Sequence, residues 1–166
     1  VATIEFGGPQ RPHCAVFGPD GRLYVTAELT NAVKVIDPRT NTVVDTLPTE
    51  QKESHMLVLS GDGRTGYTSN VGAGTVSVID VATTKVTAVV TVAARAQRIA
   101  LSADGRWLFT ADQDSPRLAV IDTKTNKLAP GVALPGVAYG TAPTPDGRFL
   151  IMALPGLNQV GVLDLK

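Results

Sequence analysis

Apolar positions fall in short runs separated by turn residues, and the runs recur at a fixed spacing. VKVID (33–37), VSVID (76–80), LAVID (118–122) and VGVLD (160–164) share one pattern, β-branched and closed by an aspartate. An Asp-Gly pair precedes each, with its acidic residue at Asp20, Asp62, Asp104 and Asp146, each 42 residues after the last. The closing aspartates Asp37, Asp80, Asp122 and Asp164 are spaced by 43, 42 and 42 residues. The single extra residue falls around Gly72 to Gly74, where a loop can absorb it.

Within each unit the pattern predicts four strands. CAVFG, MLVLS, IALS and GTAPT form the first. The Asp-Gly pair then makes a tight hairpin, because the turn needs a positive φ that glycine adopts without steric cost. RLYVTAE is the second strand, the VID runs are the third, and TNTVVDTL, TKVTAVV and NKLAPGVAL lead into the fourth. The inner strands are apolar on successive residues, as expected of sheets covered on both faces. A strand-built unit of about 40–45 residues that repeats in register is the pattern of a β-propeller blade. The chain is therefore expected to be all-β: one domain, 1–166, of four four-stranded blades at about 9–50, 51–93, 94–135 and 136–166.

The residues resemble the YVTN-repeat propellers of exported, surface-layer-like bacterial and archaeal proteins. Tyr24-Val25-Thr26 stands in the first copy within PDGRLYVT, followed by VKVID and TNTVV. Later copies depart from it, reading GYTSN (66–70), LFTAD (108–112) and LIMAL (150–154). That resemblance implies a location in the periplasm or at the cell surface, and a complete ring of seven or eight blades. VATIEF (1–6) aligns with the outermost strand of a blade, whereas the last copy stops after its third. Residues 1–8 are thus expected to complete the last blade, either within a four-bladed ring or by exchange in a homodimer whose two halves make a larger one. The start at Val1, without methionine or signal sequence, suggests a removed leader or an excised piece.

Charge and composition narrow the partners. Lys plus Arg and Asp plus Glu number 15 each, so the formal charge is zero. Nucleic acid is then a poor default partner, since that affinity rests largely on neutralising phosphates. No run reaches the roughly 18 apolar residues of a membrane span. With Cys14 as the one cysteine, no intramolecular disulfide can form.

Function is expected where the repeat varies. Seven residues before each Asp-Gly aspartate stand His13, His55, Gln97 and Tyr139, at the start of the innermost strand and hence at the mouth of the central channel. Two residues earlier the ring reads Arg11, Glu53, Arg95 and Val137. His13, His55, Gln97, Tyr139, Arg11, Glu53 and Arg95 are the candidate ligand-binding residues, suited to a small polar or anionic ligand. A plainer alternative is a hydrated polar rim. Two histidines are an incomplete metal set, which Glu53 could complete, so no metal or cofactor is expected. Asp112 and Asp114 could hold calcium, but a solvated loop is the favoured reading because no further paired carboxylates stand nearby in sequence. Cys14 is expected to pack between blades, the recurring VID aspartates to cap turns, and the GxGxxG match at 61–66 to be a hairpin without the helix that phosphate binding requires. Trp107, at the place of Leu23 and Phe149, reads as ordinary core variation.

The favoured function is a non-catalytic binding or scaffold propeller that presents its channel mouth and top loops to a small polar ligand or a protein. The alternative is an enzyme or redox accessory, lactonase-like, quinoprotein-like or haem- or metal-binding, using His13 and His55. Single-stranded nucleic acid on Arg11, Arg95 and Arg98 is the third.

Overall fold

The structure is a computed structural model and describes residues 3–166. It forms four antiparallel sheets in chain order. Blade 1 comprises β1 (Pro12–Phe17), β2 (Leu23–Ala27), β3 (Ala32–Asp37) and β4 (Thr42–Pro48). Blade 2 comprises β5 (Ser54–Leu59), β6 (Thr65–Asn70), β7 (Thr75–Asp80) and β8 (Lys85–Thr91). Blade 3 holds β9 (Ala96–Leu101), β10 (Trp107–Asp112), β11 (Arg117–Asp122) and β12 (Lys127–Ala133), and blade 4 only β13 (Gly140–Pro143), β14 (Phe149–Leu154) and β15 (Gln159–Asp164). The expected all-β blade architecture is thus what the chain adopts.

The repeated turns show why the period is kept. Gly21, Gly63, Gly105 and Gly147 all take positive φ, from +69° to +76°. Each preceding aspartate accepts a backbone N–H two residues on: Arg22 to Asp20, Arg64 to Asp62, Arg106 to Asp104 and Arg148 to Asp146. The 61–66 segment is one of these hairpins, with Ser60 Oγ donating to Asp62 at 2.6 Å. The VID aspartates serve the next turn, Asp37 accepting from Arg39 N and Asp122 from Lys124 N.

Apolar burial is concentrated between the blades. Val33 and Val35 of β3 meet Leu57 and Ile79 of blade 2; Val76 and Val78 of β7 meet Ile99, Leu108 and Ile121 of blade 3; Leu118 and Val120 of β11 meet Leu150, Met152 and Leu154 of blade 4. β3, β7 and β11 each point two alternate apolar residues at the following blade, and Ile79 points back, so the chain is a stack of sheets held face to face. Cys14 is buried with Sγ 3.8 Å from the Leu57 carbonyl, in the expected inter-blade position. Trp107 packs on the core between blades 3 and 4, its ring under the Arg106 guanidinium.

Of the two closures expected, a four-bladed ring within one chain is not formed. Among the described residues the innermost strands pack in the series β1, β5, β9, β13, with no comparable packing from β13 back to β1. Thr3 to Gly8 form no strand, and Val1 and Ala2 lie outside the described residues. Blade 4 therefore keeps three strands, and the chain is an open arc, about half of a larger propeller, not a self-closed four-bladed ring. Blade-to-blade packing runs through three interfaces, and beyond them β15 carries exposed Val160 and Val162.

Candidate functional site

The site is built where the innermost strands begin. β1, β5 and β9 run side by side, and their second residues are His13, His55 and Gln97. Side-chain hydroxyls of the preceding blade fix the backbone at two of these positions: Thr26 Oγ1 donates to the His55 carbonyl at 2.8 Å, and Ser69 Oγ to the Gln97 carbonyl at 2.7 Å. Next to β1, strand β2 ends in a single 3-10 turn, Glu28–Thr30, stopped by Asn31 in the left-handed conformation. The Glu28 N–H donates to the Arg11 carbonyl, which brings the Glu28 side chain under blade 1's rim and against blade 2.

Glu28 is the centre of the arrangement. Its carboxylate is buried, and Oε2 accepts from Arg11 Nε at 2.9 Å. Oε1 meets Nδ1 of His55 in a short contact. The His13 ring lies against the His55 ring, centroids 3.7 Å apart. Burial lowers the His55 pKa, the Glu28 bond opposes that shift without overcoming it, and the charge of His13 lowers it further. The imidazole is thus neutral at neutral pH, and a proton on Nδ1 shared with Glu28 leaves Nε2 as an acceptor. Nε2 is buried and has no hydrogen-bond partner among the described residues.

A cavity of 130 Å³ opens beside this cluster, lined by Arg11, Glu28, Glu53, His55, Val71, Arg95, Gln97 and Gln113. The carboxamide oxygens of Gln97 and Gln113 are likewise buried and unpartnered. Larger clefts lie elsewhere: one of 540 Å³ runs along the channel wall over Leu57, Leu59, Ile99 and Leu101, but its lining is mainly apolar. The small cavity is the one with converging chemistry.

Of the expected ring, Arg11, Glu53, His55, Arg95 and Gln97 line the cavity, and His13 joins through its stack on His55. Tyr139 does not. β13 begins only at Gly140, so Tyr139 precedes the strand, and its exposed ring lies 4.0 Å below the Arg98 guanidinium. Glu53 is not the carboxylate that joins the histidines; it lies across Gly72, where a methyl group would come within 2.9 Å of its Oε2. That carboxylate is Glu28, which the repeat aligns with Asn70, Asp112 and Leu154 but not with the mouth. Its signal was present: three of those four positions are polar at the end of an apolar strand. Asp112 accepts from Arg95 N, Asp114 N and Ser115 Oγ, so it shapes a loop. Of the arginines weighed for nucleic acid, Arg11 is held by Glu28, Arg95 Nε lies 3.9 Å from Asp114, and Arg98 covers Tyr139. No helix among the described residues is long and apolar enough to cross a membrane.

Known proteins share this architecture. The family described as Lactonase, 7-bladed beta-propeller matches residues 7–142. No curated protein sequence matches the chain. Among solved structures, the Kuenenia stuttgartiensis hydrazine synthase superimposes with a TM-score of 0.87 at 21% identity, over 99% of this chain and 48% of that one. A putative 6-phosphogluconolactonase from Bacteroides uniformis ATCC 8492 gives 0.79 at 20% identity, over 95% and 51%. The Cps50 (Swd1) β-propeller domain of Myceliophteria thermophila gives 0.81 at 12%, over 95% and 55%. At these identities the likeness is one of fold, and the chain spans about half the length of each.

Proposed function

Because the chain belongs to the lactonase family of seven-bladed β-propellers, we propose that the channel mouth of its first three blades binds a small anionic lactone and opens it with water. The observation that carries this reading is the 130 Å³ cavity, in which two arginines and two unpartnered carboxamide oxygens surround a buried Glu28–His55 pair. Arg11 and Arg95 suit a carboxylate or phosphate substituent, since guanidinium forks match those oxygens. Gln97 and Gln113 have acceptors to offer sugar hydroxyls. The Glu28–His55–His13 cluster stands where a water can be polarised. That water adds through oxygen to the lactone carbonyl carbon, the ring C–O bond breaks, and the proton from water ends on the released ring oxygen, giving a hydroxy acid. The family description and the likeness to a putative 6-phosphogluconolactonase support this choice of substrate class.

One feature favours a second reading, binding without turnover. The cavity lining contains no serine, threonine or cysteine, and Cys14 turns its sulfur toward Leu57. Water is then the nucleophile, or there is no reaction. Hydrolysis of a six-membered sugar-acid lactone, with and without a 6-phosphate, separates the two. Turnover is expected above the spontaneous rate and faster with the phosphate. Arg95→Ala should raise KM about tenfold or more, as loss of one charge-assisted hydrogen bond requires, and leave kcat nearly unchanged. A rate equal to buffer with calorimetric binding of the lactone selects the binding reading, and absence of both removes the site from either.

A further inference from the structure

His13, Glu28 and His55 have a geometry that lactone binding does not require. One nitrogen of each imidazole and one oxygen of Glu28 lie within 4.8 Å of one another. Donor atoms around a first-row divalent cation, at bond lengths of about 2.0–2.2 Å, stand roughly 3–4 Å apart. Small side-chain rotations therefore bring all three onto one ion. We propose that His13, Glu28 and His55 form a binding site for a divalent transition cation of the zinc type.

Three independent features of the surroundings support it. The His55 side chain is only 10% exposed and its Nδ1 lies against Glu28 Oε1, so an ion that takes both atoms replaces the proton they share and keeps the buried carboxylate neutralised. Arg11 Nε occupies Glu28 Oε2 at 2.9 Å, which orients the carboxylate and leaves Oε1, beside His55, as the monodentate donor. The arginine's own charge is screened, since its side chain is largely in solvent. Third, the ligands come from rigid elements: His13 and His55 sit in neighbouring innermost strands, and Glu28 follows directly on β2, which pairs with β1.

The donor set selects the ion. Two imidazoles and one carboxylate suit Zn²⁺ or another first-row divalent cation. One carboxylate is far from the oxygen-rich shell that Ca²⁺ needs and offers Mg²⁺ little. Three protein ligands leave further positions open, and exposed His13 places them on the solvent side, at the mouth. The proposal rests on the lactone reading only for its consequence, that the open position holds the attacking water; ion binding stands without it.

The test uses protein stripped with a chelator and titrated with Zn²⁺ alone, Co²⁺ alone and Mg²⁺ alone. Expected are one equivalent of Zn²⁺ bound at micromolar affinity or tighter, a visible d–d absorption with Co²⁺, and no binding of Mg²⁺. His13→Ala alters an exposed side chain and should remain folded; it should weaken Zn²⁺ binding about 100-fold or more and abolish the Co²⁺ band, as should Glu28→Gln. Arg11→Ala, which removes only the partner of the carboxylate, should cost about 10–100-fold. No stoichiometric binding of either transition ion, or unchanged binding in His13→Ala, would overturn the proposal. Tight Zn²⁺ binding without lactone turnover supports the metal site and defeats the lactone reading. Turnover that survives chelation, together with no stoichiometric Zn²⁺ binding, does the reverse.

Discussion

In blade 2, Val76 and Val78 of β7 are 0% and 4% exposed; the aligned Val160 and Val162 of β15 in blade 4 are 67% and 62% exposed. The residues are identical and the strand geometry is the same. What differs is the neighbour. Blade 3 lies against β7 and a fourth strand, β8, covers its edge, whereas β15 has only β14 on one side. A propeller strand is thus apolar on behalf of the next blade, and its stability is a property of the interface more than of the sheet. The same valines that make the core between blades 2 and 3 mark, in blade 4, the place where a further blade belongs.

The largest contrast should come from matched truncations. Val76→Ala removes two methyl groups from a packed interface, worth about 0.8 kcal/mol each in transfer with a cavity cost added, so urea unfolding should show a loss of about 2–3 kcal/mol. Val160→Ala in the same chain should change stability by no more than about 0.5 kcal/mol. Equal losses would mean that β15 is covered. Within a complete ring, where a further blade lies against β15, Val160→Ala should approach the Val76→Ala cost.

A smaller contrast concerns the loops that lead into the third strand. Gly74 holds φ +66°, and a Cβ there would come within 2.1 Å of the Ala93 carbonyl oxygen. Its counterpart in blade 4 is Asn158, at φ +54°. Gly74→Ala should cost about 1–3 kcal/mol through backbone strain, read as a lowered midpoint, whereas Asn158→Ala lacks that carbonyl clash and should cost less. A neutral Gly74→Ala would show that the extra residue in blade 2 relaxes freely.

The fold could be read from the chain because every blade repeats the same local devices. The Asp-Gly corners, the VID strands and the 42-residue step are each decided within a few residues, and all reappear in space. His13, His55 and Gln97 were found in the same way, as variable positions at one place in the repeat. Glu28 was not, because its partners are Arg11 on its own blade and His55 on the next, and alignment compares a residue with its equivalents instead of its neighbours. Tyr139 left the ring because Pro135 and Gly136 precede it and β13 starts late, a change in one blade that periodicity averages away. Whether one chain closes on itself is left open by the pattern for a third reason. Pairing the N-terminal segment with β15 depends on the summed angle of all blades, which no local pattern encodes.

An open arc whose last blade is bare should show itself in amide hydrogen exchange of β7 against β15 in dilute solution. Amides of Val76 and Val78 should exchange only on near-global unfolding, and the β15 amides directed away from β14 should exchange close to the rate of unstructured peptide. Equal protection of the two strands would contradict the account.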